Sequence, residues 1–332
     1  MPSPTLAPTA APEWPPYPTL PDVLWPAPTA HPYPPAEEPR QGVAAAFGEG
    51  DLSAFGQWSY SWTAYVPPVP GPAEHVPMLV GWLRNGLPRA EIIREMDARA
   101  EHNYWLVFNE CEHQHQCNAS PQEAAAFYHD VVVETIYVQG ADPDAQLIVG
   151  GVNAHECGIN WLRDFVAAYE SRYGPLPRAG WHFHLYPDIR PSGWPGNCDT
   201  DWVFDDHMMP SPAAAFELWR QHATNALAFV QSVGAAEDEV WFTEMGCINA
   251  GGHQQPGPVC NDDGFMADYA GRVLAWLNDE GRWVDRYAWY TNWDQGYWHF
   301  TRLLESAGPE WKFSSLGWFY AQVRPAAAVP RP

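Results

Sequence analysis

Eight short runs of strand-forming residues recur between residues 42 and 291, and they constrain the fold more than anything else in the chain. They are GVAAAF (42–47), WSYSW (58–62), VPMLV (76–80), YWLVFNE (104–110), LIVGG (147–151), WHFHLY (181–186), VWFTEMG (240–246) and RYAWYT (286–291). Helix-forming segments lie between them. Ser120-Pro121-Gln122-Glu123 opens one with an N-cap, a proline at the first helical position and a capping-box glutamate. Segments 211–234 and 264–281 carry apolar residues at a spacing near 3.6 and end at glycine. A further helix is expected over 88–102, ahead of the fourth strand. Strands alternating with helices build a parallel sheet. Eight of them predict an α/β fold closed as a single (β/α)8 TIM barrel. The competing open sheet usually has a glycine-rich phosphate turn after its first strand, and FGEGDLS (47–53) is not one. The first two units are short, with little room for full helices.

A barrel of this kind keeps its chemistry at the carboxyl ends of the strands. The fourth strand ends in Asn109-Glu110, the sixth in His184-Leu185-Tyr186 and the seventh in Thr243-Glu244, and the eighth carries Trp289. Side chains alternate along a strand. His184 and Tyr186 are therefore expected on one side, as are Phe242 and Glu244, with the polar groups meeting at one mouth. One glutamate at a strand end could pair with a core arginine. Two, on the fourth and seventh strands, fit a retaining glycosidase, whose carboxyls sit about 5–5.5 Å apart. One attacks the anomeric carbon. The other protonates the leaving oxygen and then deprotonates water.

The stretch after Glu110, CEHQHQCN (111–118), also has the residue types of a zinc site in Cys111, His113, His115 and Cys117. Zinc cysteines usually stand two to four residues apart. These flank an H-x-H, so no metal is expected, and no C-x-x-C marks a redox loop. All six cysteines, Cys111, Cys117, Cys157, Cys198, Cys247 and Cys260, follow strand ends four to seven. They should share the mouth face and staple its loops as disulfides. Cys247–Cys260 and then Cys111–Cys117 are the expected pairs.

The formal charge of −23 repels nucleic acid and anionic membranes. A neutral ligand is expected instead. No apolar stretch approaches the ~20 residues of a membrane helix, so membrane insertion is not expected. Tryptophan is abundant, at 19 residues. Flat indoles suit the apolar faces of sugar rings, whose rims form hydrogen bonds. Residues 1–41 are dense in Pro, Ala and Thr, and read as a linker or wrapped arm that Trp14, Tyr17 and Trp25 could dock. They lack the basic start and apolar core of a signal peptide. Such arms often follow an export signal, so an extracellular or cell-surface location is expected, with the signal removed or outside this sequence. The catalytic domain is then 42–325, with 326–332 as a tail.

The same residues carry a resemblance. Asn-Glu closing strand four and Glu closing strand seven resemble the clan A retaining glycoside hydrolases. Trp58-Ser59-Tyr60-Ser61-Trp62, Val76-Pro77-Met78, Phe108-Asn109-Glu110, Gln116-Cys117-Asn118-Ala119-Ser120-Pro121, His184-Leu185-Tyr186 and Thr243-Glu244 follow in the order of the Asl1-like glycosyl hydrolase catalytic core family. That family includes endo-β-1,3-glucanases. The family's Pro-Asp after the acid is replaced by Cys111-Glu112, His113 to His115 are inserted, and the loop 187–210 is long and acidic. The resemblance implies Glu110 as acid/base and Glu244 as nucleophile. It implies Asn109 on the sugar 2-hydroxyl, Tyr186 on the nucleophile, His184 orienting nearby groups and Trp289 flooring the reacting-sugar subsite. Tyr60, Trp62, Trp82, Trp293 and Trp298 are further candidates for substrate contact. The expected protein is a monomeric, cofactor-free retaining endo-glycosidase acting on a neutral polysaccharide or oligosaccharide, most simply a β-1,3-glucan. The rivals are the same barrel acting on xylan, mannan or β-1,4-glucan, and a carbohydrate-binding protein without turnover.

Overall fold

The computed structural model describes residues 40–44, 52, 55–62, 74–79, 104–138, 142–187, 189–191, 202–204, 209–233, 237–247, 263–291, 301–306, 312–323 and 325–331. In chain order the strands are β1 (Gln41–Ala44), β2 (Trp58–Tyr60), β3 (Glu74–Val76), β4 (Met78–Leu79), β5 (Tyr104–Val107), β6 (Gln146–Asn153), β7 (Gly180–Leu185), β8 (Ile189–Pro191), β9 (Trp202–Phe204), β10 (Glu239–Met245), β11 (Arg286–Tyr290), β12 (Leu304–Ser306) and β13 (Lys312–Phe313). Nine of these pair in parallel in the order β3-β2-β1-β11-β10-β7-β6-β5-β4. The two outermost segments, β3 and β4, are halves of one run separated only by Pro77. Proline has no N–H to continue the ladder, but its carbonyl accepts the Leu106 N–H at 2.9 Å. The sheet therefore closes on itself as the eight strands of a barrel. The sequence did not signal two antiparallel hairpins, β8–β9 and β12–β13.

Helices α1 (Pro121–Phe127), α2 (Glu156–Tyr173), α3 (Pro212–Ser232), α4 (Asp263–Leu277) and α5 (Ser315–Gln322) accompany the strands. The capping box opens α1: Ser120 Oγ accepts the Glu123 N–H at 3.3 Å, and Glu123 Oε2 accepts the Ser120 N–H at 2.9 Å. Beyond Phe127 the chain continues as a π-helix, Tyr128–Val138, which the spacing does not signal. The expected helix 88–102, Trp14, Tyr17, Trp25, Trp82, Trp293, Trp298, Cys198 and Cys260 lie outside the described residues.

Alternation along the strands divides the core in two. Trp105, Val107, Trp181, Phe183, Phe242 and Trp289 share one cluster with helix residues such as Phe165 and Phe229, so they face outward. Trp58, Tyr60, Met78, Leu106, Ile148 and Trp241 form a second cluster inside the barrel. At the amino ends of the strands, Arg286 fills the interior. Its guanidinium carbon lies 4.4 Å from the Trp241 ring centre and 4.6 Å from that of Tyr104, and its Nη1 pairs with Glu74 Oε2 at 2.6 Å.

Arg40 and Gln41, placed at the end of the expected arm, belong to the barrel and are only 2% and 1% exposed. The Arg40 guanidinium donates to the carbonyls of Val284 at 2.9 Å, Leu277 at 3.1 Å, Gly281 at 3.2 Å and Ala326 at 2.5 Å. The expected tail is thus held against the domain, and Val329 N–H donates to Arg282 O at 2.9 Å. Arg40→Ala would remove this donor from all four carbonyls; Gly281 O keeps the Val284 N–H at 3.0 Å, and each carbonyl left unpaired costs roughly 1–3 kcal/mol when buried. We expect urea unfolding to show a loss of about 3 kcal/mol or more, with Arg40→Lys recovering part of it. A loss below about 1 kcal/mol would mean that water replaces the guanidinium at little cost.

Candidate active site

Three strands carry the site to the carboxyl end of the barrel: β5 leads to Glu110, β7 bears His184 and β10 bears Glu244. Glu110 and Glu244 get there through breaks in the strand pattern. In β5, Leu106 points inward and Val107 outward. Strict alternation would then send Phe108 inward. Its backbone instead takes φ 76°, and the ring packs outward against Tyr128 and Phe165. Glu110, at φ 50°, turns back to the mouth. Left-handed backbone costs a non-glycine residue about 1 kcal/mol or more. Packing of the Phe108 ring offsets this, as does the Glu110 N–H, which donates to Gly151 O at 2.7 Å. Gly151 has φ 60°, and a Cβ there would lie 2.7 Å from both Phe108 O and the His182 ring, so only glycine fits.

In β10 the register shifts between Phe242 and Glu244. This corrects the expected alternation, because the two side chains face opposite ways. Phe242 packs outward against Trp219 and Trp283, while the bulge turns Glu244 to the mouth. Trp289 needs a second correction. It is fully buried on the outer face, donates its Nε1–H to Thr301 O at 2.9 Å and packs near Tyr269 and Tyr320, so it floors no sugar subsite. The next residue, Tyr290, points inward and stands at the mouth, with ring centres 5.9 Å from Tyr186 and 5.8 Å from Trp62. Tyr60 is also fully buried, which places it behind the carboxylate rather than against a ligand.

Donors surround Glu244. Tyr60 Oη and the Trp62 indole Nε1 each donate to Oε1 at 2.8 Å, and Tyr186 Oη donates to Oε2 at 2.6 Å. His184 Nδ1 lies 2.8 Å from Glu110 Oε1 and 3.4 Å from Glu244 Oε2. Burial pushes the Glu110 carboxyl above the usual carboxylate range. His184 pulls it back and the Glu244 charge pushes it up again, leaving it raised. Burial alone would lower the His184 pKa, but the Glu244 charge and the bond to Glu110 outweigh it and leave the imidazole raised. The pair therefore binds a proton firmly. Burial and the Glu244 charge push Tyr60 and Tyr186 well above their ordinary values, so both stay hydroxyl donors. Glu112 accepts the Asn153 N–H at 2.7 Å, and burial, with the Glu110 charge, lifts it to about 8. Asn109 is buried, and its side-chain oxygen has no hydrogen-bond partner among the described residues.

Among the described residues, Glu110, His184 and Glu244 are the group that could hold a metal, with ligand atoms within 4.8 Å of one another. The surroundings suit an anion better. Glu244 already faces O–H and N–H hydrogens, and an indole nitrogen has no lone pair to offer a cation. Beside the site, Cys111 and Cys117 are joined by a disulfide with Cα atoms 4.2 Å apart. Cys157 and Cys247 are also disulfide-bonded. Sequence reasoning missed Tyr290 and Glu112. Counting by twos along RYAWYT reaches the first only once Arg286 is known to lie inside the barrel. The Cys111-Glu112 departure marked the second.

A parallel (β/α)8 barrel with buried carboxyls at its mouth is a frame for glycoside hydrolysis, and the protein is a glycoside hydrolase. It belongs to the Glycosyl hydrolase catalytic core family, whose model matches residues 51–320. Solved structures share the fold. A GH128 subgroup II endo-β-1,3-glucanase from Sorangium cellulosum superposes with a TM-score of 0.62 at 20% identity, covering 87% of this chain and 100% of that one. One of the same subgroup from Pseudomonas viridiflava gives 0.59 at 20% identity, over 87% and 99%. A subgroup I endo-β-1,3-glucanase variant from Amycolatopsis mediterranei, in complex with laminarihexaose, gives 0.59 at 22%, over 85% and 98%. No curated protein matches the chain.

Proposed function

We propose that this hydrolase is an exported, retaining endo-β-1,3-glucanase acting on a neutral glucan by double displacement. The observation that carries the reading is the pairing of Glu110 and Glu244 around His184, with the three ligand atoms within 4.8 Å of one another. The raised Glu110 suits a general acid, and the donor-rich setting of Glu244 suits an anionic nucleophile. Glu110 protonates the glycosidic oxygen while Glu244 attacks the anomeric carbon. Glu110, now ionised, takes a proton from water to release the glycosyl-enzyme. His184 orients Glu110, and Tyr60 and Tyr186 hold Glu244. The unpartnered Asn109 oxygen accepts the sugar 2-hydroxyl, a bond that tightens in the transition state. Trp82, Trp293 and Trp298 remain the proposed outer platforms. The β-1,3 linkage draws support from the glucanases that share the fold, neutrality from the −23 charge and export from the disulfides.

A product screen on laminarin, xylan, mannan and cellulose tests this. Laminarin should yield short oligosaccharides rather than glucose alone, and proton NMR should show the β-anomer first. Activity confined to another polymer would change the substrate and leave the mechanism standing. An α-anomer released first would mean inversion and would overturn the glutamate roles.

A further inference from the structure

We infer that Glu244 attacks through Oε2 only, and that Trp62 is the positioning residue that reserves Oε1 as the non-reacting oxygen. The inference rests on the retaining mechanism proposed above. A carboxylate offers about two in-plane lone pairs on each oxygen. On Oε1 both are engaged, by Tyr60 Oη and by Trp62 Nε1, each at 2.8 Å. On Oε2 one is taken by Tyr186 Oη at 2.6 Å. The other faces His184 Nδ1, which stands off at 3.4 Å and commits to Glu110 at 2.8 Å. The open lone pair is therefore on Oε2, on the side of the acid. In the first step it forms the bond to the anomeric carbon. The electron pair of the broken glycosidic bond goes to the leaving oxygen, which takes the Glu110 proton. Oε1 becomes the carbonyl oxygen of the ester and keeps both its donors.

Trp62 differs from its two tyrosine neighbours in kind. A phenol can rotate its O–H or accept a bond. An indole N–H does neither, and it does not titrate. Its direction is set by packing: the Trp62 ring sits edge-on to Tyr60 and to Tyr290, with centres 5.8 Å away in both cases. The residue is only partly buried, so part of its ring remains open to solvent while its Nε1–H holds the nucleophile.

These two roles make different predictions. A hydrogen bond to a full carboxylate is stronger than one to an ester carbonyl. Losing the donor therefore makes Glu244 a poorer leaving group when the glycosyl-enzyme breaks down. Trp62→Phe keeps an aromatic face and removes the N–H. On a dinitrophenyl β-laminarioligoside, kcat should fall on the order of 10- to 100-fold. Dinitrophenol should then appear in a burst approaching one equivalent per enzyme. A rise in KM with kcat unchanged and no burst would make Trp62 a platform only and overturn the inference. Tyr60→Phe removes the other Oε1 donor and should likewise lower kcat and give a burst. If it does not, Oε1 is not the reserved oxygen, and this decides the matter should Trp62→Phe fold poorly. Failure of the retaining mechanism itself would show separately, as an α-anomer from the wild type.

Discussion

Glu244→Ala should reduce hydrolysis by a factor on the order of 10⁴–10⁶, the scale seen when a covalent nucleophile is removed from a preassembled site. The residual chemistry should change its stereochemistry. With the carboxylate gone, azide can occupy the space and attack from the same side, so an activated β-glycoside should give an α-glycosyl azide. The substitution also leaves three donors, from Tyr60, Trp62 and Tyr186, without their acceptor. Unpaired buried donors cost about 1–3 kcal/mol each, so the melting temperature should fall as well. Glu244→Gln, close in volume, separates the effects by keeping an acceptor while removing the charge. A β-azide from Glu244→Ala, or activity within tenfold of wild type, would remove Glu244 from the nucleophile role.

Glu110→Ala should cost roughly 10²–10⁴-fold on natural substrate, the usual worth of general acid–base assistance. The loss should be smaller on a dinitrophenyl glycoside, whose leaving group needs no proton. The glycosyl-enzyme should then accumulate for want of a base, and azide should release it as the β-azide, the opposite anomer to that from Glu244→Ala. The wild-type pH profile carries the complementary test. The acid form of Glu110 is the active one and its pKa is raised by burial and by the Glu244 charge. Activity should therefore persist above the ordinary carboxylate range and fall as pH rises through that raised value. A basic limb that survives unchanged in Glu110→Ala would assign it to another group. Glu112, lifted to about 8, would be the first to examine.

Much of this site is legible in the sequence because its chemistry sits where apolar runs end. A glutamate closing YWLVFNE or VWFTE has no solvated loop to explain it. The even-numbered barrel follows from counting such runs, and the capping box at Ser120 marks its helix to the residue. What escapes is parity. Inward and outward alternate only while the backbone stays extended, and the functional strands depart from that. The left-handed Phe108 and the bulge before Glu244 each reverse a side, and nothing in residue type announces either. Trp289 fails for a plainer reason: both faces of a barrel strand are buried, so an aromatic residue is at home on either. The β8–β9 hairpin, in the long loop after the sixth strand, has no periodic pattern that would reveal it.

The Arg40 clasp bears on how the protein can be handled and joined to others. Arg40 precedes β1, and the carbonyls it grips precede β11 or belong to the last described residues, so both leave the barrel at the pole away from the catalytic mouth. A surface tether, a fluorescent reporter or a fused partner joined directly at Arg40 or Ala326 starts from that pole, opposite the catalytic mouth. The Arg40 guanidinium reaches the Ala326 carbonyl, so the two backbones are separated by no more than an arginine side chain and a short peptide could join the two positions. New ends could then be cut in an exposed connection elsewhere, giving a permuted chain whose barrel closes in the same order.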